Sequence, residues 1–141
     1  MTNPFTLTKE QEELYMNDEL KQAIEKMCNA CHQAALNGGW WHDLFTGEDM
    51  RGKRNVGEML CLIHSEVSEA MEGHRKKLMD DKLPHRPMIE VELADAMIRI
   101  ADLAGGMGYD LAGALVEKLE YNRTRADHKI ENRQKDGGKV Y

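Results

Sequence analysis

The chemistry this chain can offer centres on four carboxylates: Glu66 with Glu69, and Glu92 with Asp95. Each pair is spaced three apart within a stretch patterned as buried helix. Residues three apart on a helix share a face. Glu66 stands among Met59, Leu62, Ile63, Val67 and Ala70, positions patterned to turn inward. Asp95 lies between Val91 and Ile98 on a helix that Leu93, Ala94 and Met97 make apolar. An ionised carboxylate in an apolar interior is strongly disfavoured unless it is paired, protonated or bound to a cation. Four together, with too few inward-facing bases to pair them all, point to a divalent metal.

Spacing alone does not single these pairs out, because Glu10/Glu13, Glu69/Glu72 and Glu117/Glu120 repeat it on what read as solvated faces. Position does. After Glu90, the residues Glu92, Asp95, Arg99 and Asp102 follow in steps of three, four and three, one polar stripe along an apolar helix. The competing reading is a half-buried ion-pair network with Arg99 or another base as counterion. All-oxygen ligation suits a hard ion, Mg²⁺ or Mn²⁺, better than zinc, which favours His and Cys. A di-iron bundle would use Glu-x-x-His twice, and no Glu here has His three residues later.

Phosphate chemistry has its own candidates. Lys118, Asn122 and Arg125, spaced four and three, put a cation, an amide and a guanidinium on one helix face. The competing reading is a solvated helix end, where cations favour the negative pole of the dipole. Lys53, Arg54, Arg75 and Lys76, near the ends of the second helix, could steer phosphates, while each alone reads more often as ordinary surface. Trp40 and Trp41 directly follow Gly38-Gly39; one of them could stack on a base, and one could plug the end of a bundle. Cys28-Asn29-Ala30-Cys31-His32 matches the haem c attachment pattern, but it falls inside a continuous helical pattern with no second Cys pair. With Cys61 the cysteines number three, and they read as free structural thiols.

The bulk properties narrow the class. A chain of 141 residues is the size of one domain. A net charge of -6 argues against nucleic acid as a partner. The first 25 residues are charged and polar, and no run approaches the roughly 18 apolar residues of a membrane span. A soluble, cytoplasmic protein is expected.

The elements that must position these residues all read as helix. The first runs from Thr8 or Lys9 to Leu36, with Thr8 as N-cap and Asn37-Gly38-Gly39 as stop. Trp40 to Arg54 is irregular, and Asn55 with Glu58 opens a second helix reaching about Met79. Pro84 and Pro87 mark a loop before a third, Met88 to Ala104, which Gly105-Gly106 ends; Asp110 caps a fourth, Leu111 to about His128. The expectation is an all-α bundle of four main helices in one domain, with a core over about 55–128 and a loose tail over 129–141. Ten methionines against 6% aromatics suit such packing, since flexible thioethers fill gaps between helices.

At this point the residues resemble a family, the all-α nucleoside triphosphate pyrophosphohydrolases of the MazG-like group, related to dimeric dUTPases and dCTP pyrophosphatases. The likeness runs from Gly57-Glu58-Met59-Leu60 through Ile63-His64-Ser65-Glu66-Val67-Ser68-Glu69-Ala70 and Glu92-Leu93-Ala94-Asp95 to Lys118-Leu119-Glu120-Tyr121-Asn122-Arg123, about half the chain. It implies that Glu66, Glu69, Glu92 and Asp95 bind Mg²⁺, and that Lys118 and Asn122 contact the nucleotide. Arg123 and Arg125 transfer less firmly, and the Trp40-Trp41 region lies where some relatives place aromatic base contacts. Ser65 stands where many MazG proteins carry a second Glu, which points towards the dCTP pyrophosphatase-like branch and leaves the metal count open. The expected activity is hydrolysis of an NTP or dNTP to monophosphate and pyrophosphate, with Glu66 or Glu69 activating water. A homodimer or homotetramer is expected, because the third helix is too apolar for one subunit to cover. The alternatives are a phosphoribosyl-type pyrophosphohydrolase and a non-catalytic nucleotide- or metal-binding regulator.

Overall fold

Three helix starts, at Thr8, Asn55 and Asp110, fall where a side chain takes over an orphaned backbone N–H. The computed structural model describes residues 8–11 and 18–141. Thr8 and Gln11 form a reciprocal capping box: Gln11 N–H donates to Thr8 Oγ1 at 3.2 Å, and Thr8 N–H donates to Gln11 Oε1 at 2.8 Å. The expected single first helix would run through residues 12–17, which lie outside the described residues. Helix α1 is Asp18–Asn37, α2 is Val56–Lys76, α3 is Met88–Met107 and α4 is Leu111–Thr124. A 3₁₀ turn, Ala126–His128, and a one-turn helix α5, Ile130–Arg133, complete the order. The class is all-α, with no strand among the described residues beyond two isolated bridges, His42 with Asp49 and Met79 with Pro87. No described helix is long and apolar enough to cross a membrane.

Two compact units make up the chain, Lys26–Tyr109 and Asp110–Tyr141 with residues ahead of Lys26. In the first, α2 and α3 pack antiparallel. Asn55 caps α2, its Oδ1 accepting from Glu58 N–H at 3.2 Å, and Lys77 closes it in the left-handed conformation, φ 53°. Small residues let the two helices approach: Ala70 and Gly73 on α2, Ala96 and Ala101 on α3, are all buried. A Cβ on Gly73 would sit 2.9 Å from Met88 Cβ. The connecting loop is pinned by the buried Asp80, whose Oδ2 accepts from the N–H groups of Lys82 and Leu83 at 2.9 and 2.6 Å.

Gly105-Gly106 does not end α3, as its sequence suggests, because packing rather than termination requires those glycines. The helix continues to Met107 and closes at Gly108, φ 74°. A Cβ on Gly105 would lie 2.6 Å from His32, and one on Gly106 only 2.0 Å from the Trp41 ring. Trp41 is the largest fully buried side chain, 1% exposed, and seals this end of the unit. The loop carrying it is stitched to α3 by Gly52 N–H donating to Gly106 O at 2.9 Å.

Val67 and Leu62, patterned to face inward on α2, are 51% and 41% exposed, and Leu93 and Met97 of α3 are about half exposed as well. Part of the apolar surface of the pair is therefore open to solvent. In the second unit Asp110 caps α4, accepting from Gly113 N–H at 2.8 Å. Within residues 129–141, Asn132 Nδ2 donates to Ala126 O, and Arg133 donates to Lys139 O and Val140 O.

Gly106→Ala is expected to lower stability by about 3 kcal/mol or more, above the usual range for an overpacked methyl, because its Cβ would overlap the Trp41 ring. Denaturant unfolding followed by tryptophan fluorescence measures this; a variant within 1 kcal/mol of the native protein, as for an ordinary helix-interior Gly→Ala change, would show that Trp41 does not need that cleft.

Candidate functional site

Between α2 and α3, three of the four carboxylates converge. Glu66, Glu69 and Glu92 each place a carboxylate oxygen within 4.8 Å of the others. The antiparallel packing brings them together, Glu66 and Glu69 of α2 meeting Glu92 of α3. Glu66 and Glu92 are buried, 8% and 7% exposed, while Glu69 is open to solvent. Asp95, half-buried, is not part of that trio; it lies one turn along α3 and feels the charge of Glu66.

Among the described residues one base pairs with this group. Arg99 Nε donates to Glu66 Oε1 at 2.5 Å, the ion pair expected of the competing reading. It accounts for a single carboxylate. Glu69, Glu92 and Asp95 have no ion pair among the described residues. Burial, then the charge of Glu69 and the adjoining Glu66 carboxylate, push the Glu92 carboxyl up to about 7. Asp95 is likewise raised, by burial first and Glu66 second, with Arg99 opposing.

Glu66 and Asp95 also line a cleft of about 840 Å³, within the range of small-molecule sites. Lys53 and Arg54 stand on its wall, and Met59, Leu62 and Ile98 give it an apolar bed. Lys53 Nζ pairs with Glu48 at 2.6 Å, and an Arg54 Nη2 hydrogen bond to Trp40 O holds the loop. Trp41, the expected base contact, contributes to the lining but is sealed: its Nε1–H donates to Asp102 Oδ1 at 2.7 Å and its ring meets His32 edge-on at 5.5 Å. Trp40, 72% exposed on the same cleft, is the tryptophan with an open face.

Asp102 was legible in sequence only as the last member of the polar stripe. It holds both Trp41 and His32, whose Nδ1 lies 2.9 Å from the same Oδ1. The stripe's spacing was the signal that could have placed it in the site. His32 is thereby committed to packing, and Cys31 lines the cleft while Cys28, its thiol raised by burial, sits one turn before it.

Lys118, Asn122 and Arg125 belong to the second unit. There Lys118 Nζ lies 4.7 Å from the centre of the Tyr121 ring and the Arg125 guanidinium 5.6 Å from it. Arg125 also makes a two-point ion pair with Asp127. Asn122 Oδ1 is buried with no hydrogen-bond partner among the described residues, an open polar valence. No family model, curated protein or solved structure matches the chain.

The raised Glu92 has a signed consequence. The folded chain keeps this proton where the unfolded chain has lost it, so the contribution is intact below the ordinary value of 4.5 and disappears as pH rises through about 7. Glu92→Gln removes the burden. Without divalent metal, its stability relative to the native protein is expected to match at pH 4.5 and exceed it by up to about 3 kcal/mol at pH 8. Melting curves of both proteins across that range test it; a gap that does not grow with pH means Glu92 carries no such proton.

Proposed function

We propose that this protein is a Mg²⁺-dependent pyrophosphohydrolase of nucleoside triphosphates, with Mn²⁺ an acceptable substitute. It would convert an NTP or dNTP to the monophosphate and pyrophosphate within a MazG-like bundle. The observation that carries the reading is the surplus of negative charge in the α2–α3 interface: three carboxylates within 4.8 Å and Asp95 beside them, against one paired base, Arg99, among the described residues. A donor set made of carboxylate oxygens alone, closely grouped and only partly compensated, fits a hard divalent cation. Glu66, Glu69, Glu92 and Asp95 would hold it. Bound there, the cation would neutralise triphosphate charge and polarise the α-phosphorus.

The chain's own residues divide the remaining work. Glu66 is tied to Arg99, so the more open Glu69 is assigned to take the proton from the attacking water. Water oxygen bonds to the α-phosphorus as the bridge to the β-phosphorus breaks, and pyrophosphate leaves. Lys53 and Arg54, on the wall of the same cleft as Glu66, would draw the phosphates in, and Trp40 offers an open ring to a base. Lys118, Asn122 and Arg125 enter as nucleotide contacts on the resemblance, with the open Asn122 acceptor as support. The half-exposed apolar residues of α2 and α3 support a homodimer or homotetramer.

Glu69→Gln and Asp95→Asn are expected to fold normally and lose pyrophosphate release by about 100-fold or more, measured colorimetrically with Mg²⁺ over a panel of triphosphates. Full activity in either variant would remove that residue from the site. Failure of the native protein to release pyrophosphate from any nucleotide, with binding retained, would replace the enzyme by a nucleotide-binding regulator.

A further inference from the structure

Asp102 is placed unlike the other carboxylates of the cleft. One oxygen, Oδ1, takes both donors available to it, Trp41 Nε1–H at 2.7 Å and the His32 ring at 2.9 Å. No donor among the described residues reaches Oδ2, and that atom is not sealed from solvent. The side chain is 16% exposed and lines the 840 Å³ cleft. Trp41 and His32 are both buried, so they lock the carboxylate's orientation and leave one acceptor facing out of a rigid mount. Along α3, Asp102 lies seven residues beyond Asp95, two turns and about 10 Å of rise. That separation suits the ribose between a reacting phosphate and a base edge.

The geometry points to Asp102 as a specificity-determining residue that selects nucleotides whose base carries an exocyclic amino group. The inference rests on the pyrophosphohydrolase reading and names the substrate class for the same cleft. A carboxylate oxygen can only accept. Cytosine, adenine and guanine present an amino group to it, whereas uracil and thymine carry a carbonyl where cytosine has its amine, and hypoxanthine lacks the amine of guanine. With Oδ2 set against the amino position, a carbonyl of uracil or thymine meets it lone pair to lone pair and the C–H of hypoxanthine leaves it without a donor, and a site built for a hydrogen bond rejects the analogue that lacks it. Trp40, open on the same cleft, would stack on any base and so adds affinity without this selection.

The test uses two substrate pairs that differ in the amine, dCTP with dUTP and dGTP with dITP, and compares kcat/KM for pyrophosphate release in the native protein and D102N. The amide keeps a carbonyl oxygen for Trp41 and His32 and turns a donor towards the cleft. The native protein is expected to favour the amino base in each pair by about tenfold or more, and D102N to narrow or invert the ratio while retaining turnover of dUTP. Equal native rates within each pair overturn the inference, as does a D102N that slows all four substrates alike with ratios preserved. Should D102N fail to fold, as judged by its melting curve, the native ratios decide alone. Absence of turnover on every nucleotide would instead strike the parent reading and this inference with it; turnover without base preference strikes only the inference.

Discussion

Like charges forced together between two packed helices are the constraint around which the larger unit is arranged. Glu66 and Glu92 are buried on facing surfaces of α2 and α3, and Glu69 closes the group from the solvent side. Such an arrangement survives only because the charge is partly removed. Arg99 balances Glu66, and Glu92 holds its proton to about 7. The residue types that let the helices approach this closely are small: Ala70, Gly73, Ala96 and Ala101. An interface of larger side chains would hold the helices further apart and separate the carboxylates.

The second structural demand comes from the far end of the same cleft. Trp41 must be seated beneath α3, and only glycine at 106 leaves room for its ring. Its indole N–H would be an unsatisfied buried donor without Asp102, and the same oxygen steadies His32. A polar stripe along α3 therefore serves two purposes. Its first half meets α2 in the acidic group, and its second half anchors the loop that forms the cleft wall. Trp40 is left outward by the same turn that drives Trp41 inward.

The apolar surface left on α2 and α3 is a third consequence. Leu62, Val67, Leu93 and Met97 stay about half exposed, while the buried positions of α2 and α3 are mostly small residues and carboxylates. Their sequence pattern marks them as residues to be covered without saying whether the cover comes from the same chain or from another copy. Hydrophobic periodicity reports which face avoids water, and that preference is the same for a core and for an interface.

Local chemistry was enough to read the caps and the class. Thr8, Asn55 and Asp110 each bond the backbone N–H three residues on, because capping depends on nearest neighbours alone. The three-residue spacings likewise placed Glu66 with Glu69 and Glu92 near Asp95 on common faces. Which carboxylates meet was decided by packing: Glu69 joins Glu66 and Glu92, while Asp95 turns towards the cleft with Arg99 and Asp102. Gly105 and Gly106 show the limit most clearly. In sequence they read as a helix stop; in the fold they are helical positions emptied of a Cβ for His32 and Trp41, partners far away in sequence and therefore invisible to any local rule. The sequence by itself determined the helices and the inventory of acidic, basic and aromatic groups. Only tertiary structure decided their partners, because burial and charge compensation are set by which surfaces close over one another.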